Sequence, residues 1–213
     1  MKMTVLRVLV VASVLGPAMA FAQTGKTKPT TATYIMKEEI DRVSNSEQSK
    51  QVVDENTKVV DIGYENFTLG VIHRGSTRHP VAMEDGGGRD NGGAAVESCG
   101  RKMATLPPGG TTGTITHDFQ TEGYYIVSGG GTMVTEGYIV NGQHSDVAPN
   151  GPSCSGTAYG VKKVVVKPGD AVIIPAGVVH GWADIPDHVD YLSFRPSQRA
   201  LQAGWVNPTI TKK

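Results

Sequence analysis

Two separated segments of the chain carry residue types that bind transition metals. The first, His117-Asp-Phe-Gln-Thr-Glu122, places an imidazole and a carboxylate on either side of a turn. The second, Gly169-Asp-Ala-Val-Ile-Ile-Pro-Ala-Gly-Val-Val-His180, has a short apolar strand, a Pro-Ala-Gly turn and a lone histidine. Imidazole nitrogen and carboxylate oxygen together suit divalent transition metals. The two segments therefore predict one metal site, with His117, Glu122 and His180 as its ligands.

A competing explanation applies to each of these side chains. His117 alternates with Ile115 along a strand, and a histidine on an apolar face is more often a core residue with satisfied hydrogen bonds. Glu122 has the stronger case, because an acid ahead of Gly-Tyr-Tyr-Ile-Val is costly to bury unless it is paired or metal-bound. We favour the ligand interpretation for all three residues.

Alternation along the strands also predicts which neighbours face the site. Counting from Glu122 turns Tyr124 inward, either as a proton donor or as a core tyrosine with a satisfied hydroxyl. Counting from His180 turns Trp182 inward, where an indole could stack on a ring-shaped ligand. An arginine could grip a substrate carboxylate through two hydrogen bonds, although a solvated rim charge is the commoner role. The further substrate-binding candidates are His73, Arg74, Tyr191 and Arg195.

The elements that position these residues are predicted to be strands. The 27 glycines and the Gly-Gly-Gly, Asn-Gly, Pro-Gly-Asp and Pro-Ala-Gly connectors divide the chain into many short apolar runs, which is typical of an antiparallel barrel or jelly roll. One short amphipathic helix is predicted at 37–43. The predicted strands are 58–62, 67–74, 111–117, 123–127, 132–140, 159–166, 171–174, 178–183 and 189–195.

The N-terminus predicts an exported protein. Residues 1–22 combine a basic start, an apolar run too short to span a bilayer, and small residues suited to signal-peptide cleavage. Residues 23–33 are predicted to be a disordered lead, and residues 34–213 a single domain. An isolated cysteine pair in an exported chain favours one disulfide between Cys99 and Cys154, which both lie in Gly/Ser/Pro-rich stretches predicted to be loops.

The charge pattern argues against two classes of partner. The 20 basic and 20 acidic residues give a formal net charge of zero, and they are mixed along the chain. We see no basic stripe for nucleic acid and no polybasic membrane patch. A small molecule is the expected partner.

The two metal-ligand segments resemble the motifs of the cupin superfamily. The second motif, Gly-x5-Pro-x-Gly-x2-His, is matched at every fixed position over 169–180. The first, Gly-x5-His-x-His-x(3,4)-Glu-x6-Gly, is matched in part: Gly109 or Gly110 opens it, and 117, 122 and 129 follow, but Ile115 stands where the first histidine is expected. The matched region spans 109–182, and the chain is similar to secreted bacterial single-domain cupins of undefined function.

The resemblance implies a cupin-type barrel with an N-terminal extension, a homodimer, and one divalent metal (Zn, Mn, Ni, Cu or Fe). Two histidines and one carboxylate form a legitimate ligand set with open positions, yet a site that lacks one imidazole could also have lost its metal. The expected function is a metal-dependent lyase, isomerase or dioxygenase acting on a sugar acid or phenolic compound in the periplasm or outside the cell. The alternative is a non-catalytic module that binds a small molecule or carbohydrate.

Overall fold

The computed structural model describes residues 29–45, 51–79, 97–147, 151–197 and 202–211. The predicted signal peptide and residues 23–28 of the predicted lead lie outside this part. The elements, in chain order, are α1 (Lys37–Asn45), β1 (Val52–Asp61), β2 (Asn66–Gly75), β3 (Ser98–Cys99), β4 (Thr111–His117), β5 (Glu122–Gly129), β6 (Gly131–Thr135), β7 (Tyr138–Val147), β8 (Gly151–Tyr159), β9 (Lys162–Val166), β10 (Ala171–Ile174), β11 (His180–Asp184), β12 (His188–Ser197) and α2 (Pro208–Thr211).

The strands form two sheets whose named strands all pair in antiparallel fashion. One sheet has five strands in the order β1-β2-β12-β5-β10, and the other has seven in the order β3-β7-β8-β4-β11-β6-β9. The main core lies between the sheets, because it combines Ile72, Ile126 and Tyr191 of the first sheet with Met133 and Trp182 of the second. The predicted all-β, cupin-type jelly roll is confirmed.

The predicted N-terminal helix is present and two residues longer than expected, at Lys37–Asn45. The Glu39 carboxylate accepts a hydrogen bond from the Met36 N–H (3.0 Å), which satisfies one of the unpaired donors at the helix start. Val43 is fully buried. None of the helices in the described ranges is long and apolar enough to cross a bilayer.

Two predicted strands each proved to be two. The run predicted at 132–140 is broken by a turn at Glu136 and Gly137, where both φ angles are positive (69° and 76°), as the tight hairpins of twisted sheets require. The run predicted at 159–166 is divided at Gly160 (φ 66°). The predicted loop around Cys154 is wrong, because Gly151–Tyr159 pairs with both β4 and β7. Its Gly, Ser and Pro content conceals a strand that non-local pairing stabilises.

Candidate metal centre

The three predicted ligands come from both sheets and meet in the interior. His117 ends β4, Glu122 begins β5, and the short turn between them carries the chain from one sheet to the other. His180 begins β11, where it lies opposite Ile115 of β4. The Gly177 N–H donates to the His117 carbonyl at 2.7 Å, so the Pro-Ala-Gly turn joins the two motifs directly. The three side chains are buried, with 4 %, 1 % and 4 % exposure for His117, Glu122 and His180.

The geometry of these side chains fits a metal ion. Oε2 of Glu122 lies 3.2 Å from Nε2 of His180 and 3.6 Å from Nε2 of His117. One ligand atom from each residue falls within 4.8 Å of the others, and this is the one such group of three His, Cys, Asp or Glu side chains found among the described residues. For metal–ligand bonds of about 2.1 Å, ligand atoms lie about 3.0–3.4 Å apart at octahedral or tetrahedral angles. The observed spacing is close to that range.

Both imidazoles are hydrogen-bonded through Nδ1, which orients each ring with its Nε2 toward the other proposed ligands. Nδ1 of His180 lies 3.0 Å from the Val178 carbonyl oxygen, which can only accept a hydrogen bond. Nδ1 of His117 lies 2.9 Å from Oγ of Ser153, and this hydroxyl donates to the Gly151 carbonyl, so it accepts from the ring. An uncharged ring at either position would therefore carry its proton on Nδ1, with its Nε2 lone pair facing Glu122. Three lone pairs at this distance need a cation or a proton between them.

The charges of the site are set by its surroundings. Burial raises the pKa of Glu122, but Arg195 and the two imidazoles outweigh burial and hold that pKa well below its usual range. Burial lowers the pKa of His117 to about 4; the charges of His180 and Arg195 act in the same direction and that of Glu122 opposes them. At neutral pH the site therefore offers a carboxylate and an uncharged His117 ring, which are the forms that bind metal.

Tyr124 contacts the site as the alternation predicted. Its hydroxyl donates to Oε2 of Glu122 at 2.7 Å, and its ring lies edge-on to His180 with centroids 6.2 Å apart. Burial, followed by the charge of Glu122, raises the pKa of Tyr124 well above its usual value. The phenol is therefore protonated, and its proton is directed at a proposed ligand.

Arg195 reaches the centre, but its guanidinium is occupied by protein groups. The side chain is 2 % exposed, and its Nε lies 2.8 Å from Oε1 of Glu122. The same Nε–H donates to Ser193 (2.9 Å), whose hydroxyl donates to Oε1 (3.3 Å). Nη2 forms an ion pair with Asp54 at 2.8 Å, and Nη1 donates to Asn56 at 3.4 Å. These contacts hold Glu122, whereas the sequence suggested a grip on substrate.

The other predicted substrate residues are distributed over two faces. Trp182 and Tyr191 lie in the core with ring centroids 5.9 Å apart, and Tyr191 is 4.4 Å from the Tyr124 ring. Nε of Arg74 donates to the Tyr191 hydroxyl at 2.9 Å, which places it at the far side of this aromatic group. His73 lies on the outer face, paired with an aspartate, and the structure does not bring it to the centre.

Two residues near the ligands are relevant to the first histidine of the motif, which this chain lacks. Ile115 is half-buried and lies opposite His180 in the strand register, so an apolar side chain occupies the position of the absent histidine. Gln120, in the turn between His117 and Glu122, is 4 % exposed, and its amide nitrogen has no hydrogen-bond partner among the described residues. A buried polar atom without a partner is unusual in a folded protein.

A cavity of about 420 Å³ lies between β6, β9 and β10, next to the centre. It is bordered by Thr135, which pairs with His180, and by Ile174, which pairs with Glu122. Val178, whose carbonyl orients His180, also lines it. The three proposed ligands are not among its lining residues.

The structure contains the predicted disulfide between Cys99 and Cys154. Both cysteines are in strands, β3 and β8, and not in the loops that the sequence predicted. Cys154 follows Ser153, the residue that orients His117, so the covalent link is adjacent to the centre. Neither Ser153 nor Asp54 was predicted to contribute. No pattern in the sequence indicates the role of Ser153. Burial of Arg195 would have predicted a carboxylate partner such as Asp54, because a buried charge needs a counter-charge.

Comparison with known proteins places the chain in a family. The sequence model of the Family of unknown function (DUF8063) matches residues 6–166. The comparison with curated proteins finds no match.

Three solved structures illustrate the structural likeness. A double-stranded β-helix protein from Klebsiella pneumoniae is 12 % identical (85 % of this chain, 100 % of the other, TM-score 0.38). A cupin protein from Bacteroides fragilis is 11 % identical (65 % and 72 %, TM-score 0.29). A recombinant oxalate oxidase in complex with glycolate is 13 % identical (81 % and 64 %, TM-score 0.39). The fold described above stands on the strand order and pairing of this chain itself.

Proposed function

This chain belongs to the Family of unknown function DUF8063, and we propose that it is an exported metal-binding cupin that acts on a small oxygenated organic molecule. His117, Glu122 and His180 would hold one divalent transition metal. The observation that carries the proposal is the convergence of two Nε2 lone pairs on one carboxylate oxygen, at 3.2 and 3.6 Å, with both rings fixed through Nδ1.

The donor set accepts several metals. Two imidazoles and one carboxylate suit Zn, Mn, Ni, Cu or Fe, and three protein ligands leave positions for water or a ligand. When bound, such an ion supplies Lewis acidity toward a carbonyl, carboxylate or hydroxyl oxygen. The protein contributes the fixed rings, an ionised Glu122 and a water-poor interior.

Tyr124 is the residue that supports catalysis. Its phenol is protonated, buried and hydrogen-bonded to a proposed ligand, so it is positioned to donate a proton to a group bound beside Glu122. Proton transfer at an oxygenated carbon favours lyase or isomerase chemistry, with a dioxygenase as the other reaction class. A sugar acid or phenolic substrate would present its oxygens to the metal, with the Trp182 and Tyr191 rings forming an apolar wall.

One observation favours a second candidate, a non-catalytic binding module. The three proposed ligands are at most 4 % exposed, and aromatic rings fill the interior beside them. Such a site could hold a metal and a small ligand without turnover.

Metal content tests the main proposal. Elemental analysis of protein purified without chelator, and then of protein incubated with Co²⁺ or Zn²⁺ and desalted, is expected to give one ion per chain. His180→Ala should lose the ion while His188→Ala, which removes an imidazole from the outer face, should keep it. A folded wild-type protein that takes up neither ion contradicts the proposal.

Turnover separates the two candidates. With a panel of sugar acids and phenolics, Tyr124→Phe is expected to keep the metal and lose activity, because it removes one hydroxyl. Tyr125→Phe is the matched control, since Tyr125 is 46 % exposed on the opposite face of the same strand. Binding of a panel compound without turnover in the wild type would favour the binding module.

Export and dimerisation are parts of the same proposal. The Cys99–Cys154 disulfide is typical of oxidising compartments, and it agrees with a cleaved signal peptide over 1–22. Tyr125, Ile173 and Phe194 expose apolar surface on the outer face of the five-stranded sheet (46 %, 79 % and 41 %), which supports a homodimer. The N-terminal mass of protein from the periplasm or medium tests the first point, and light scattering tests the second.

A further inference from the structure

Glu122 is held on both of its oxygens, by different groups. Oε2 faces the two imidazoles and accepts the Tyr124 hydroxyl. Oε1 faces the other way, 2.8 Å from Nε of Arg195 and 3.3 Å from the Ser193 hydroxyl. A carboxylate ligand can bind a metal through one oxygen or through both, and here the second oxygen is already occupied.

Arg195 is itself fixed along its whole length. From β12 its side chain crosses β2 to reach Asp54 and Asn56 on β1. It crosses at Gly70, where an added Cβ would lie 3.2 Å from both Cζ and Nη1 of the guanidinium. Gly70 is in the middle of a strand, where glycine weakens the sheet and often marks the close approach of another group. Here it admits the arginine.

We infer that Arg195 is a positioning residue that holds Oε1 of Glu122 and restricts this carboxylate to one metal bond, through Oε2. The inference rests on the proposed metal site and deepens it. With three protein donor atoms, rather than four, the ion keeps an additional position for an exogenous ligand. The buried ion pair therefore limits the number of protein donors, by fixing the orientation of a ligand as hydrogen-bonded neighbours of metal ligands commonly do.

Arg195→Lys is the sharpest variant, because the two side chains differ at the relevant atom. Lysine has a methylene where arginine has Nε–H, so the change deletes the donor facing Oε1 and Ser193 while it keeps the positive charge. Arg78→Lys is the matched control. Arg78 is exposed, and its Nε donates to Asp184 at 2.9 Å in a surface ion pair.

The measurements are the Kd for Co²⁺ by competition with a chromophoric chelator and the visible d–d spectrum of the Co²⁺-loaded protein. In Arg195→Lys we expect Co²⁺ binding weakened about 10-fold or more, because Glu122 is no longer held in its orientation. We also expect weaker d–d absorption, because a Glu122 that binds through both oxygens raises the coordination number of the ion. Gly70→Ala, which presses on the guanidinium without touching a ligand, should change the spectrum in the same direction by less. Arg78→Lys should match the wild type in both measurements.

The outcomes separate the two proposals. If wild-type protein binds no Co²⁺, the metal site itself is wrong. If the wild type binds Co²⁺ and a folded Arg195→Lys has the same Kd and spectrum, the site stands and the positioning role is rejected. If Arg195→Lys does not fold, Arg195→Met combined with Asp54→Asn, which leaves no unpaired Asp54 carboxylate, is used for the same measurements. Failure of that variant to fold would assign Arg195 to the fold and also reject the positioning role.

Discussion

Two regions of the molecule each carry two histidines beside carboxylates: the interior between the two sheets, and the outer face of the five-stranded sheet. Of these two regions, only the interior has side chains arranged to bind a metal ion. In the interior, His117 and His180 share one oxygen of Glu122, and their ring centroids are 5.2 Å apart. On the outer face, His73 and His188 stack at 6.2 Å. The residue types are nearly the same, so the difference lies in how they are connected.

On the outer face the shortest contacts pair each imidazole with a different carboxylate, although Nε2 of His188 also lies 3.7 Å from Asp190. Nδ1 of His73 lies 2.6 Å from Asp190, and Nδ1 of His188 lies 2.6 Å from Asp187. The Ser128 hydroxyl lies 3.2 Å from Nε2 of His188. These side chains are partly or largely exposed, so water can replace each contact. A metal site needs imidazoles in which one ring nitrogen is hydrogen-bonded elsewhere and the lone pair of the other points at the metal. Of these four histidines, only the two buried between the sheets meet this requirement.

The largest expected contrast is in stability. Glu122→Ala leaves the Arg195 guanidinium buried with one of its two carboxylates missing, and breaking a buried ion pair costs about 3–5 kcal/mol. Asp190→Ala removes a half-exposed carboxylate and should cost much less. Urea denaturation of both variants measures the free energy of unfolding. Equal losses in the two variants would show that the interior pair is no more tightly coupled than the surface one.

Metal addition should distinguish the regions next. An ion that binds only the folded state stabilises it by about 2.7 kcal/mol when its free concentration is 100 times the Kd. Wild type and the His73→Ala variant are expected to show this rise in Tm with Zn²⁺, and His180→Ala is not. A rise that disappears in His73→Ala but persists in His180→Ala would move the metal site to the outer face.

A matched pair of serines tests the hydrogen bonds between serine hydroxyls and the imidazoles of the two regions. Ser153 accepts a hydrogen bond from Nδ1 of His117, whereas Ser128 contacts Nε2 of His188. Ser153→Ala should weaken Co²⁺ binding about 10-fold, or about 1.4 kcal/mol, because it releases the ring. Ser128→Ala should leave the Kd unchanged. Titration of both variants under one set of conditions provides the comparison, and equal Kd values would remove Ser153 from the centre.

The sequence was sufficient for the fold class and for the three side chains that converge in the interior, and their role as metal ligands stays a prediction. β4 and β10 have the predicted bounds; Gly110 comes directly before β4, and Gly169 and Pro175 lie on the two sides of β10. The Pro-Ala-Gly turn before His180 is a local signal, and so is the spacing of His117 and Glu122. Alternation placed Tyr124 on the inward face. Local patterns therefore predict which side chains face inward.

The partners of those side chains depend on strand pairing, which the local pattern does not contain. Arg195 holds Glu122 because β12 lies beside β5, and it reaches Asp54 because β2 and β1 follow in the same sheet. His73 was grouped with Arg74 as a candidate, although adjacent residues in a strand face opposite sides. Ser153 required β8, a strand in a Gly/Pro/Ser segment. Each of these cases depends on the pairing of residues far apart in sequence.

The final expected contrast is in the pH dependence of the metal-free protein. The pKa of His117 is lowered to about 4 by burial, against 6.5 for a free imidazole. Between these two pH values the unfolded chain binds more protons at this residue than the folded chain does. The contribution of His117 to the free energy of unfolding is therefore fully present above about pH 6.5, and it is lost as the pH falls toward 4, by at most about 1.4 kcal/mol per pH unit. Chelator-treated wild type should therefore show a steeper decline in unfolding free energy between pH 6.5 and 4.5 than His117→Gln. His188→Gln is the control and should retain the wild-type slope, because it leaves the buried ring in place. Equal slopes in the wild type and His117→Gln would mean that His117 is as free to take up a proton as a residue of the outer face.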